Sequence, residues 1–230
     1  GNTASAWGSD VSSHPNVQYH LPADLLPYGI TVKLGYAPNT ADGDSNSFKS
    51  TGGANSQGPD GNGAQQIRVD AAPIDGLKLA ADYIDYTGTS GSASQQEKTG
   101  GNISVQYAMG NFKVGLMEGY TEDGVGTFAN ADGSSFDRQE TSIMGIEFAI
   151  NDNLTVSYQE EEHKAVDVGT IAVGATTKAK KTTTLESEIA QIAYNIGGAT
   201  VGVFVNETEN SDFTVGKKEK KTIFHLGMEF

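Results

Sequence analysis

Short segments in which every second residue is apolar recur along this chain, and no segment carries a convincing helical stripe. In residues 29–39, GITVKLGYAPN, Ile30, Val32, Leu34 and Tyr36 fall on one face and Thr31, Lys33, Gly35 and Ala37 on the other. Period two is the geometry of a β-strand. In AQQIRVDAAPI, Ile67, Val69 and Ala71 alternate with Gln66, Arg68 and Asp70. Leu77, Leu79, Ala81 and Tyr83 alternate with Lys78, Ala80 and Asp82. Further apolar faces follow at Ile103–Val105–Tyr107, Phe112–Val114–Leu116, Met144–Ile146–Phe148–Ile150 and Leu154–Val156–Tyr158. The last are Ile192–Tyr194–Ile196, Val201–Val203–Val205 and Phe224–Leu226–Met228–Phe230. With a weaker strand at residues 16–21, the pattern predicts about eleven strands and an all-β fold.

The connections alternate in length. Short turns are expected at residues 22–28, 73–76, 110–111, 151–153 and 197–198, and long polar loops at about 40–63, 87–98, 121–138, 160–181 and 207–220. Short, long, short, long is an up-and-down meander with one elaborate end. Transmembrane barrels have that asymmetry, with short periplasmic turns and long extracellular loops. Greek-key sandwiches do not alternate so strictly.

Alternation alone does not say whether the apolar face turns inward or toward lipid. Tyr36, Tyr83, Tyr107, Tyr120, Tyr158 and Tyr194 lie near strand ends, mostly on the apolar face. That placement suits aromatic girdles at two membrane interfaces. Hydrophobic content of 37% is low for a large dry core. It fits strands that are apolar on one side only. No run approaches the 18 or so apolar residues of a transmembrane helix. A net charge of -14 argues against a nucleic-acid partner. The absence of cysteine excludes a disulfide scaffold and thiolate metal sites.

Two regions carry a family resemblance. The end, KKTIFHLGMEF, places Phe224, Leu226, Met228 and Phe230 on one face and closes on an aromatic. It resembles the C-terminal signal that the barrel-assembly machinery reads in outer-membrane barrels. The stretch NVQYHLPADLLPYGITVKLGYAPN, through Tyr19, Pro22, Tyr36, Ala37 and Pro38, is similar to a hairpin of the trimeric general porins of Gram-negative bacteria. GLKLAADYIDY resembles strands of the same family, whereas the turn at Leu25–Leu26–Pro27 departs from the family's Phe-x-Gly pattern.

The resemblance implies a sixteen-stranded antiparallel transmembrane β-barrel in the bacterial outer membrane. It implies a homotrimer, with outer-membrane lipid and lipopolysaccharide as surroundings. Residues 1–15 then correspond to the tail of a constriction loop and 16–230 to barrel strands and their loops. An odd strand count puts the chain's two ends on opposite sides, while single-chain bacterial barrels have even counts. Missing N-terminal strands are therefore expected.

On the inferred wall, Lys33, Arg68, Asp70, Lys78, Asp82, Lys113 and Glu147 are the candidate pore-lining residues. In a porin such charges set a transverse field that biases solute passage. The implied function is passive diffusion of ions and small hydrophilic solutes, with no cofactor and no enzymatic role. The alternative is an extracellular β-rich structural or adhesive surface protein without a channel.

No catalytic motif stands out. His14, His20, His163 and His225 have no metal-ligand spacing. Acidic clusters at Asp42 and Asp44, Glu122 and Asp123, and Glu160–Glu162 read as loop tips. They could also bridge to lipopolysaccharide through divalent cations. Basic runs at Lys178, Lys180, Lys181 and 217–221 read as rim charges.

Overall fold

The structure, a computed structural model, describes residues 11–13, 15–22, 24–38, 63–86, 99–122, 128–129, 135–167 and 182–228. Its strands are β1 (Val17–His20), β2 (Thr31–Ala37), β3 (Ala64–Ala71), β4 (Leu77–Tyr86), β5 (Thr99–Met109) and β6 (Phe112–Glu122). There follow β7 (Phe128–Ala129), β8 (Ser135–Asn151), β9 (Leu154–Asp167), β10 (Thr182–Ile196), β11 (Ala199–Glu209) and β12 (Lys218–Met228). Eleven of them form one antiparallel up-and-down sheet in chain order, and the two-residue β7 pairs with β8 off that path. The sheet is open, with β1 and β12 as its edges. Among the described residues the only helical pieces are two short 3₁₀ turns.

The alternation seen in the sequence sets the two faces. Cross-strand partners lie on the same face of a sheet. The register joins Leu34 to Ile67, Ile67 to Tyr83, Val105 to Leu116 and Leu116 to Met144. This apolar face is the exposed one: Ile103 is 60% accessible, Leu116 51% and Phe224 77%. The opposite face is polar, and it is the one that is enclosed. Thr121, Gln139, Thr141, Glu161, His163, Thr183 and Ser187 are all buried there. The apolar core is correspondingly small, with Val11, Ala37, Ala64 and Ile84 as its one cluster among the described residues.

That cluster sits on the polar face. Residues Val11–Ser13 form a 3₁₀ turn that folds onto it. Val11 lies so close to Gly35 that a Cβ there would stand 2.5 Å from Val11 Cγ2. The Val11 amide donates to Gln66 Oε1 at 3.2 Å, and Asn16 Nδ2 donates to the Val11 carbonyl at 3.0 Å.

Several strands reach further than their apolar alternation. β9 runs through the Glu160–Glu162 cluster to Asp167, and β11 runs to Glu209, where loops were expected. β6 likewise reaches Glu122. The expected loop at 207–220 shrinks to residues 210–217, a 3₁₀ turn with Asn210, Asp212 and Phe213 in left-handed backbone. Asn210 pins it, donating from Nδ2 to the Thr184 carbonyl at 2.8 Å and accepting from the Gly216 amide at 2.8 Å. Lys217 donates to Asp212 Oδ2 at 2.5 Å. Asp212 first, and then Glu219, hold its pKa above the ordinary lysine value.

Of the loops expected at 40–63, 87–98 and 160–181, residues 40–62, 87–98 and 168–181 lie outside the described residues, as do His14, Asp42, Asp44, Asp123, Lys178, Lys180, Lys181 and Phe230.

The short turns give a direct test. Gly76 has φ +78°, and a Cβ there would stand 2.1 Å from the Ala108 carbonyl oxygen. Its own carbonyl accepts from the Ala108 amide at 2.9 Å, so the contact ties turn to neighbouring strand. Gly110 has φ +58°, and a Cβ there would meet nothing within 4 Å. Gly110→Ala should therefore cost only the left-handed backbone term, about 1–2 kcal/mol. Gly76→Ala adds a backbone collision and should cost clearly more, on the order of 3 kcal/mol. Urea unfolding of the two variants side by side checks the order.

Candidate functional site

All seven candidate wall residues lie on the polar face. Lys33 pairs in register with Arg68, and Arg68 with Asp82. Asp70 stands two residues from Arg68 on the same side of β3. Lys78 pairs with Gln106, and Lys113 with Glu147. The sheet thus brings Lys33, Arg68, Asp70 and Asp82 together, Lys113 and Glu147 together, and leaves Lys78 apart.

Partnering differs among them. Arg68 grips Asp70 with Nη2 at 2.7 Å and Nε at 2.9 Å. Lys113 Nζ donates to Glu147 Oε1 at 2.9 Å. Each of these pairs is half-exposed, so each is worth little to stability, about 0–1 kcal/mol. Lys33 and Lys78 have no ion-pair partner among the described residues. Of the basic side chains on this stretch of the face, these two make no direct ion pair, and Lys33 still feels the Asp70 carboxylate electrostatically while Lys78 stands apart.

A second cluster escaped the sequence reading. Thr141 on β8 and His163 on β9 are register partners, with Oγ1 3.1 Å from Nδ1. His163 Nε2 stands 3.3 Å from Glu161 Oε2, and Gln159 Nε2 donates to Glu161 Oε1 at 2.5 Å. His163 is 6% and Glu161 7% accessible. The two partners share a strand face because they are two residues apart, while Glu160 and Glu162 point the other way. Hydroxyl, imidazole and carboxylate are the groups of a nucleophilic relay. Here they sit mid-sheet between paired strands, where the ladder already uses the backbone amides that an oxyanion site would need. The arrangement acts as a cross-strand tie in the polar face. Among the described residues no group of His, Cys, Asp and Glu could hold a metal ion.

The outer face carries its own electrostatic pattern. One ladder row runs Leu79, Val105, Leu116, Met144, then Glu160, Glu188, Glu207 and Lys220. The next runs Ser142, Glu162, Glu186, Glu209 and Lys218. The same row is apolar on β4–β8 and charged on β9–β12. The edge lysines close both rows as ion pairs, Lys220 with Glu207 and Lys218 with Glu209. Glu188 is left between two like charges.

The boundary between apolar and charged residues therefore climbs across the sheet. Its last apolar outward residue is Tyr83 on β4 but Tyr158 on β9. Through Gly101, Tyr120 and Glu140, Tyr83 aligns with Lys164, which lies six residues beyond Tyr158 and four strands over. Followed from Tyr36 on β2 to Phe224 on β12, the climb is gentler. It amounts to about 1–1.5 residues per strand. At about 3.3 Å per residue and about 4.8 Å between strands, that is a slope of about 35–45°.

A scan against protein-family models and a search of curated protein sequences both find no match to this chain.

Two substitutions probe these clusters. Thr141→Val keeps the shape and removes the hydroxyl facing His163 Nδ1. It should cost about 1–3 kcal/mol, the penalty of an unsatisfied buried polar group, measured by denaturant unfolding. Glu188→Lys sets a cation between Glu160 and Glu207. It should stabilise by up to about 1 kcal/mol at low salt, and the gain should fade as salt is raised.

Proposed function

We propose that this sheet is wall of an outer-membrane transmembrane β-barrel, and that its polar face lines a water-filled channel for passive diffusion of ions and small hydrophilic solutes. One observation carries the reading: the sloping edge of the apolar face. A membrane cuts tilted strands at a constant height. The apolar band must then step along the strands from one to the next, at the strand tilt of about 35–45°. The boundary on this sheet has that slope. An apolar strip facing a flat partner would have no reason to follow it.

The faces fit the same reading. Large apolar side chains stand exposed on one side, while the buried polar side chains of the strands, among them Thr141, Glu161 and His163, are on the other. In hydrocarbon every backbone N–H and C=O must be paired, and an antiparallel ladder does this only if its edges are closed. The reading therefore requires strands from outside this sequence to pair with β1 and β12, in the sixteen-stranded, trimeric arrangement that the resemblance implies. The folding of Val11–Ser13 onto the polar face fits the tail of a constriction loop inside such a lumen. The barrel-assembly machinery would read the Phe224–Phe230 strand, and lipopolysaccharide would surround the charged rows.

Selectivity in this channel rests first on Lys33 and Lys78. Arg68 and Lys113 present ion pairs rather than net charge. Single-channel recording across a planar bilayer under a salt gradient tests both levels. Stepwise conductance is expected. A Lys33→Glu/Lys78→Glu double variant should shift the reversal potential toward the cation equilibrium, more than Lys113→Gln does. A silent bilayer with inserted protein would overturn the channel and favour a structural surface protein.

A further inference from the structure

Histidine is the side chain whose charge changes between about pH 5 and 8. Among the described residues His20, His163 and His225 all stand on the polar face. Their surroundings differ. His163 is buried and uses both ring nitrogens, on Thr141 and Glu161. His20 and His225 are exposed.

His20 ends β1 and is the register partner of Lys33. The same ladder row continues from Lys33 to Arg68 on β3 and Asp82 on β4. Partners in register have Cβ atoms about 4.5–5.5 Å apart, so His20 and Lys33 share one patch of wall. His20 Nε2 donates to Gln18 Oε1 at 3.2 Å, since an amide oxygen only accepts. The basic nitrogen is then Nδ1, which has no hydrogen-bond partner among the described residues. A proton added there leaves the Gln18 bond in place. The charged groups that face His20 are Lys33 on β2, Arg68 and Asp70 on β3, and Asp82 on β4. Both carboxylates stand on strands beyond β2, and neither pairs with the ring. A charge gained by His20 is therefore not absorbed by an ion pair.

The same place is where a second piece of chain lies against the face. Gln18 is the register partner of Gly35, and Val11 of the 3₁₀ turn packs on Gly35. A solute passing Lys33 moves beside this turn, and a charge on His20 acts on it within about a Debye length, roughly 8–10 Å. His225 has no such setting. It stands across β12 from Gly202, and Ala193, Phe204 and Ile223 beside it on the face carry no charge.

We infer that His20 is a selectivity residue of the channel wall whose contribution is set by pH: protonated, it adds a second cation without an ion pair beside Lys33 and raises the preference for anions. The inference rests on the channel reading and names the side chain that makes its ion preference depend on pH.

Reversal potentials across a planar bilayer under a potassium chloride gradient test it. From about pH 8 to about pH 5.5 the anion-to-cation permeability ratio of the wild type should rise about threefold, the effect of one added charge close to the ion path. His20→Gln should keep the ratio of the alkaline side throughout, and His20→Arg should keep the raised ratio throughout. His225→Gln should retain most of the wild-type rise. A histidine that served only the fold would not give opposite, pH-independent values with Gln and Arg. Heat-modifiable gel mobility reports folding, and if one His20 variant fails it, the other decides. An unchanged pH response in His20→Gln, or a response lost in His225→Gln instead, would overturn the inference and leave the channel standing. A silent bilayer with inserted wild-type protein would overturn both.

Discussion

The antiparallel ladder is the constraint from which the rest of this molecule follows. Ten successive pairings, with bulges only in the β8–β9 pair, hold every strand in a fixed register with its neighbours. Side chains alternate with period two, so that register decides which residues share a face. A slip of one residue in the β2–β3 pair would move Lys33 or Arg68 to the apolar side and Leu34 or Ile67 to the polar side. Hydrophobic burial plays an unusually small part, because the large apolar side chains are the exposed ones. The sheet's cohesion lies in backbone hydrogen bonds and cross-strand pairs, with local ties such as Thr141–His163–Glu161 and Asn210 at one end.

How much of this was legible in the sequence depended on how local the signal was. The strands, their order and their faces were legible, because alternation needs only neighbouring residues. The all-β class and about eleven strands came from it, and eleven strands form the sheet. The ends of β6, β9 and β11 were misjudged for a physical reason. Beyond the apolar band both faces are polar, so alternation of hydrophobicity stops although the strand continues. Glu160–Glu162 thus resembled a loop tip, whereas their alternating directions put Glu161 inside and its two neighbours outside.

The features that matter most for chemistry were not legible, because they are made across strands. Thr141 and His163 are far apart in sequence and meet only through the β8–β9 register. The sloping boundary is invisible in any single strand, since it is a relation among all of them. The shared face of the seven candidate residues was legible, because alternation already placed them opposite the apolar side chains. What alternation could not supply was which of them would be neutralised by a neighbour.

That distinction bears on how the polar face would act on a passing solute. A tightly held pair such as Arg68–Asp70 presents a fixed dipole whose field falls off quickly. An unpaired lysine presents a net charge on a long flexible stem, felt over about a Debye length, roughly 8–10 Å in physiological salt. Lys33 and Lys78 are therefore the residues through which this face would attract anions, even though the chain as a whole carries a net charge of -14. Much of the acidity in the described strands is elsewhere, in the outward rows of Glu160, Glu188, Glu207 and Glu162, Glu186, Glu209. Net charge is thus a poor guide to the selectivity of such a wall. The side on which each charge stands, set by the register, is the quantity that matters.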